Sequence, residues 1–431
     1  MVLALWSMVA VTTFILVARH NRVSVVAIGY VGLLAYSVPA LIGFTRPVSA
    51  KGLVPYLEPA SSEAILVMVA AWLGFGLALL LMPSSVDGGR PPCYQLHPMR
   101  VTWFIRCALI ISLACYAWMA NRAGLEWYAM ERADIYDAVG GLISIVWRWV
   151  SGIGLLASIY FDRLWGRGAR IYQAIFALMV ALNAIAGDRT VPVILAMAFA
   201  IVLLWEWPIT KAALHWKAWA IGLATLAIIF FMKPFYLAYK RDLPFGRMLA
   251  GGSDPMAMVA SWEAFGTHEN IEGLIRSSTT YPWWNTVRDT LAQLLIQPSA
   301  FGFDSTGFNT VLQTQIFSQA LYGLAGTFWG QAWAIGGIPV VIVFGLIYGG
   351  ALVALHHASL KSKGMWFFFW IILGSVIGVY AHRNALENVL AQARQPFVGF
   401  VTIQVLVWVL LFGRFHTSVP AVPIVGRDYG K

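Results

Sequence analysis

Residues 63 to 82, EAILVMVAAWLGFGLALLLM, carry no charge after Glu63. An apolar run of this length fits a helix across a bilayer, where every backbone polar group must be satisfied internally at the risk of several kcal/mol per unmet group. Ten further runs read the same way: 1 to 18, 23 to 43, 101 to 120, 140 to 160, 171 to 187, 190 to 208, 217 to 236, 325 to 354, 366 to 381 and 396 to 413. The expected fold class is therefore an all-α polytopic membrane protein of about eleven transmembrane helices. Residues 1–431 form a single integral membrane domain, interrupted by one long polar segment, residues 237 to 322, between the eighth and ninth spans.

Composition agrees. Hydrophobic residues make up 60% and charged residues 11% of the chain, far from the roughly 25% charged residues of a soluble domain. The formal net charge of +10 is spread over short loops, the pattern a negative membrane surface produces, which argues against nucleic acid as a partner. Cys107 and Cys115 stand eight residues apart on one helix, about 12 Å, too far for a disulfide. The first span lacks a basic leader and is followed by Arg19 and Arg22, so it reads as a retained span that places the amino terminus outside. Fourteen basic residues then fall inside and seven in the short outward loops (Arg46, Lys51, Arg122, Arg132, Arg189, Arg383 and Arg394), a bias that puts the long segment outside. Arg148 lies within a span and should face protein or water.

Within the outer segment, Gly251, Gly252, Ser253, Asp254 and Pro255 form a helix start, since Asp254 can cap free amides and proline suits the first helical position. The helix should reach about Arg276 and carry His268, Glu272 and Arg276 on one face at four-residue spacing. A second amphipathic piece runs from about Thr286 to Gln297 and stops at Pro298. The turn-rich stretch Phe301 to Asn309, holding Asp304, reads as irregular, with aromatics and small polar groups suited to sugars. Gly326 to Pro339, holding Trp329, opens the next span with a small-residue turn; irregular backbone at that depth is tolerated only against protein or a water-filled cavity.

Three pieces together, Gly187-Asp188-Arg189-Thr190 at an outer junction, the large late outer segment, and the Gly326 to Pro339 stretch, resemble the Wzy-type oligosaccharide repeat-unit polymerases of bacterial surface polysaccharides. The related O-antigen ligases share the layout. The Arg-to-Gly spacing described for some such polymerases occurs once in the outer segment, at Arg241 and Gly252. The resemblance implies inverting, metal-independent glycosyl transfer at the periplasmic face of the bacterial inner membrane. A glycan leaves undecaprenyl pyrophosphate for a second lipid-linked repeat unit, so donor and acceptor are the partners, with a chain-length regulator as a further one. No cofactor or metal is implied.

That chemistry sorts the residues. Pyrophosphate needs fixed cations, and Arg189, Arg276 and Arg383 are the candidates, with Asp188 to orient Arg189. The attacking hydroxyl needs a base, for which His268 leads and Glu272 and Glu269 follow. Sugar contacts fall to Asp304, Asn309 and Trp329, and to Arg132 and Tyr136 in the Glu126 to Asp137 loop. A ligase acting on lipid A core and a lipid-glycan flippase remain open as alternatives, although most ionisable residues outside the cytoplasmic loops gather at the outer face and no internal repeat is evident.

Overall fold

The structure, a computed structural model, describes residues 2–19, 22–41, 44–45, 56–57, 60–82, 98–130, 132–165, 168–188, 190–205, 207–216, 219–220, 222–223, 267–294, 307–318, 326–362 and 364–411. The helices are α1 (Val2–Arg19), α2 (Val25–Leu41), α3 (Ser62–Leu81), α4 (Pro98–Ala123), α5 (Arg132–Val139), α6 (Gly141–Trp165), α7 (Arg170–Ile185), α8 (Thr190–Leu204) and α9 (Ile209–Leu214). They continue with α10 (Thr267–Ser277), α11 (Trp283–Leu294), α12 (Phe308–Val311), α13 (Phe328–Lys361), α14 (Trp366–Tyr380) and α15 (Leu386–Leu411). Two short strands, β1 (Phe44–Thr45) and β2 (Tyr56–Leu57), pair antiparallel between α2 and α3, an addition to the all-helical expectation.

The protein is a helical multi-pass membrane protein. Among the described residues, α1, α3, α4, most of α6, α13 and α15 are long and apolar enough to cross a bilayer, while most of α2, and α7, α8 and α14, are shorter apolar helices. Ten of the eleven predicted runs thus coincide with helices, and the run 217 to 236 lies almost wholly outside the described residues.

The bundle centres on α3 and α13, whose backbones nearly touch. A Cβ on Gly74 would stand 2.2 Å from the Ile342 carbonyl oxygen, and one on Gly345 would stand 2.6 Å from that of Ala71. Lipid tails are as apolar as leucine, so helices in a membrane associate by such close packing rather than by expelling water. Trp72 and Phe75 of α3 are buried beside this contact, and Phe367, Phe368 and Phe400 fill the core elsewhere in the bundle.

Segments predicted to face outward gather at one end. His268 of α10 reaches the Tyr36 carbonyl near the end of α2, Glu272 takes the Ser61 amide at the start of α3, and the Thr190 hydroxyl meets that of Tyr380. At the opposite end Trp205, following α8, packs on His356 and Phe367.

Two features shape the end that carries His268. First, α14 has 15 residues, so it rises about 22 Å where a bilayer core needs about 30 Å. Second, α13 reverses direction. The ring of Phe328 lies 4.7 Å from that of Phe344, and Trp329 lies 5.5 Å from Tyr348, pairs that a straight helix would hold about 24 and 29 Å apart. The reversal occurs at Gly336 and Gly337, the latter at φ 67° and ψ −157°, a conformation open in practice to glycine alone. Pro339 follows, where a missing amide costs nothing at the start of the descending helix. The Ala334 carbonyl is taken by the Tyr281 amide at 2.8 Å. The irregularity expected in Gly326 to Pro339 is therefore a re-entrant helical hairpin, packed against protein.

Above the short α14 sits a separate small core of Leu274, Tyr281, Phe308, Leu312, Phe317, Ala334 and Ala385. It joins α10, the Tyr281 segment leading into α11, α12 and the ascending arm of the hairpin into one cap. The helix start at Asp254 and Pro255 and the Arg241 to Gly252 spacing lie outside the described residues. Phe308 and Asn309, expected to be irregular, are helical because Thr310 and Val311 both donate to the Gly307 carbonyl, and a π-helical turn, Leu312–Ile316, follows.

Candidate functional site

Three clusters of buried polar groups meet under the cap. The first is built on α10, whose inner face is pressed against α2 and α3. His268 is fully buried, and its Nε2 lies 2.6 Å from the Tyr36 carbonyl oxygen. A carbonyl only accepts, so Nε2 carries the proton and the Nδ1 lone pair is left with no partner among the described residues. Burial pulls the imidazole down to about 4 from its ordinary 6.5, against the opposing pull of the Tyr36 carbonyl. The side chain is neutral at physiological pH, with a lone pair available. Glu272 accepts the Ser61 amide at 2.7 Å, a negative charge at the positive end of α3, and Arg276 turns back to Glu269 at 2.8 Å. The side chain of Arg276 is 64% exposed, so this ion pair holds little energy and releases easily. His268, Glu272 and Arg276 thus serve three different neighbours rather than one common face.

The second cluster forms the floor. Trp329, fully buried, donates its indole N–H to His382 Nδ1 at 3.2 Å. That fixes the tautomer: His382 Nε2–H donates to Tyr348 Oη at 2.9 Å, and Tyr348 donates onward to the carbonyls of Gly378 at 3.0 Å and Gly29 at 3.2 Å. Tyr36 stacks 5.7 Å from His382, so the peptide that holds His268 also contacts this relay. Beside it Gln331 binds Glu387 and the Leu386 amide, while the other oxygen of Glu387 takes the Phe308 amide at 2.8 Å. Asp289, fully buried, accepts from Tyr281 at 2.8 Å and from Arg288 at 3.0 Å. Burial first, then this bond and the charges of Asp289 and Glu387, push the Tyr281 hydroxyl well up, with Arg288 opposing.

The third cluster is cationic. Arg148 Nη1 binds Asp188 Oδ2 at 2.5 Å with both side chains 4% exposed, its Nε reaches the Ser144 carbonyl, and its guanidinium lies 5.4 Å over Tyr136. The other oxygen of Asp188 caps the Thr190 amide at 2.9 Å. Thr190 meets Tyr380, whose ring lies beneath the Arg383 guanidinium at 6.0 Å. Asp188 and Thr190 are thereby linked to Tyr380 and Arg383 at the end of the short α14.

Comparison with family models, curated proteins and solved structures finds no match to this chain. The site must speak through its own geometry.

Asp188, assigned to orient Arg189, spends both oxygens on Arg148 and Thr190; Arg189 itself and Asp304 lie outside the described residues, as does the side chain of Arg132. Trp329 and Asn309, assigned to sugar, are structural in their contacts: Trp329 is sealed in the core, and Asn309 accepts the Gly326 amide at 2.6 Å. The sequence reading passed over Glu387, Asp289, Gln331 and His382. A lone carboxylate opening an apolar helix, as Glu387 does, was the one available signal. No group of three or more His, Cys, Asp or Glu among the described residues is arranged to hold a metal ion.

His268 makes stability depend on pH. The folded state resists a proton that the unfolded chain takes up near 6.5, so stability is full above that value. It should decline as pH falls from about 6.5 to about 4, by roughly 3 kcal/mol, and then level off. Thermal midpoints of the detergent-solubilised protein across that range measure it. His268→Gln should flatten the slope, whereas a slope unchanged in that variant would assign it to another group.

Proposed function

We propose that this chain polymerises lipid-linked oligosaccharide repeat units, with the cap end facing the periplasm across the bacterial inner membrane and about eleven spans in all. The observation that carries the reading is the Thr190–Tyr380 contact, which brings the start of α8 to Tyr380 and to the Arg383 guanidinium over its ring. Arginine forks suit phosphate oxygens, and a recess poor in water strengthens their pull.

In this reading Arg189 and Arg383 hold the pyrophosphate of the donor, and Arg276 swings from Glu269 to join them. His268 Nδ1 takes the proton of the acceptor hydroxyl as that oxygen attacks the anomeric carbon. The bond from that carbon to pyrophosphate breaks with inversion, and undecaprenyl pyrophosphate leaves with the electron pair. Developing charge on the leaving group is met by fixed arginines, the usual largest contribution to such a step. Tyr136 remains a sugar contact, whereas Trp329 and Asn309 serve the scaffold.

A second reading, transport of a lipid-linked glycan, draws on one observation, the re-entrant hairpin, since broken helices at membrane depth accompany transport sites. The surface-glycan ladder of a strain lacking the gene separates the readings. A single capped repeat unit supports polymerisation, unattached polymer supports ligation to lipid A core, and units trapped inside support transport. In a purified assay Arg189→Lys should be impaired, and Arg189→Ala worse by roughly a further 1 to 3 kcal/mol. Polymer of normal length and amount from Arg189→Ala at wild-type protein level would remove Arg189 from the site.

A further inference from the structure

A cavity near the Arg148–Asp188 pair is lined by four residues that each hold a side-chain donor lacking a partner among the described residues. Its walls include Trp127, Tyr136, Trp147, Arg148, Asn183 and Asp188. Arg148 Nη2, Asn183 Nδ2 and the indole nitrogens of Trp127 and Trp147 are buried without a hydrogen-bond partner among the described residues. These four side chains belong to residues 4%, 3%, 1% and 1% exposed. Buried donors in folded proteins are nearly always satisfied, so four unmet ones around one cavity mark a missing acceptor.

The cavity measures about 10 Å³, room for one water-sized atom. Water serves the site poorly. One molecule accepts at most two of the four donors and leaves the other two unmet. An anionic oxygen brings lone pairs and no proton. A whole sugar is too large, whereas an oxyanion presents one oxygen at a time. Arg148 is preset for this task, because Asp188 and the Ser144 carbonyl hold its Nη1 and Nε and leave Nη2 turned to a new partner.

We propose that the Arg148–Asn183–Trp127–Trp147 cavity is a phosphate-class oxyanion site that takes one anionic oxygen. The site stands on its donors; that its phosphate arrives on a lipid-linked glycan rests on the function proposed above.

The test uses the full-length protein in phosphatidylcholine nanodiscs, with the thermal midpoint followed against sodium pyrophosphate, sodium chloride at equal ionic strength, and undecaprenyl phosphate added to the disc. Pyrophosphate should raise the midpoint and chloride should not. Asn183→Leu and Trp127→Phe each remove a donor, so each should weaken apparent binding roughly tenfold. The ligand-free midpoint of Asn183→Leu should be equal to or above wild type, because an unmet donor has been taken away, whereas Trp127→Phe also vacates core volume and should melt lower. No rise with pyrophosphate, an equal rise with chloride, or an undiminished response in both variants would overturn the proposal, even where the glycan ladder still reports polymerisation. If undecaprenyl phosphate in the disc abolishes the response to pyrophosphate, the lipid headgroup is the source. A variant-sensitive response to pyrophosphate alone keeps the site and removes the lipid, whatever the ladder shows.

Discussion

Replacing Arg148 by alanine should destabilise the protein by about 3 to 5 kcal/mol, the largest single loss expected outside the packed core. The cause is what remains behind. Asp188 is 3% exposed, and without Arg148 its carboxylate keeps the Thr190 amide and loses its counter-ion in a region from which water is excluded. Restoring neutrality by a second change should recover most of the loss, since a buried ion pair replaced by apolar side chains is often neutral or better. Arg148→Met with Asp188→Leu is that control, and the double variant should melt well above Arg148→Met alone. Thermal midpoints and detergent-resistant folded fractions measure both. A loss below about 1 kcal/mol in Arg148→Ala would mean that the pair is open to water when the protein lies in a bilayer.

For His268→Ala, turnover in a quantified polymerisation assay should fall by about 10² to 10⁴-fold with donor binding nearly intact, the range of a lost general base. Alanine alone does not separate chemistry from architecture, because His268 also ties α10 to the Tyr36 carbonyl. Glutamine does. Its amide can donate to Tyr36 as Nε2–H does, yet it accepts no proton, so His268→Gln should keep a near-normal melting point at neutral pH and stay inactive. Activity restored by glutamine would make His268 a strut, and Glu269 would become the next base to test.

How much was legible in the sequence depended on whether a feature is local. Run length and the absence of charge placed ten helices, because span length is set by the bilayer rather than by partners. The Gly336-Gly337-Ile338-Pro339 string announced an irregular backbone, yet its full reversal follows from Phe328 and Trp329 packing on Phe344 and Tyr348, which no local pattern encodes. Sites behaved the same way. His268, Asp188 and Arg148 each stood out by residue type, but the pairing of Arg148 with Asp188 across 40 positions is tertiary. Glu387 and Asp289 were passed over because a lone carboxylate outside the apolar runs ordinarily reads as solvated surface. Trp329 misled for a related reason: an aromatic near the surface in sequence is the innermost ring of the floor in space.

The shortness of α14 reaches beyond the site. An exposed 15-residue helix would force the surrounding lipid to thin, at a fraction of a kcal/mol for each ångström of hydrophobic mismatch. Most of α14 is buried among its neighbours, so the mismatch is absorbed inside the protein and not by the bilayer. The missing quarter of the helix is filled by the hairpin arm, His382 and Gln331, which seats polar groups at the end of α14 among helices long enough to cross the bilayer. On the function proposed above, a lipid-borne headgroup meeting that floor need not be lifted out of its leaflet to be reached.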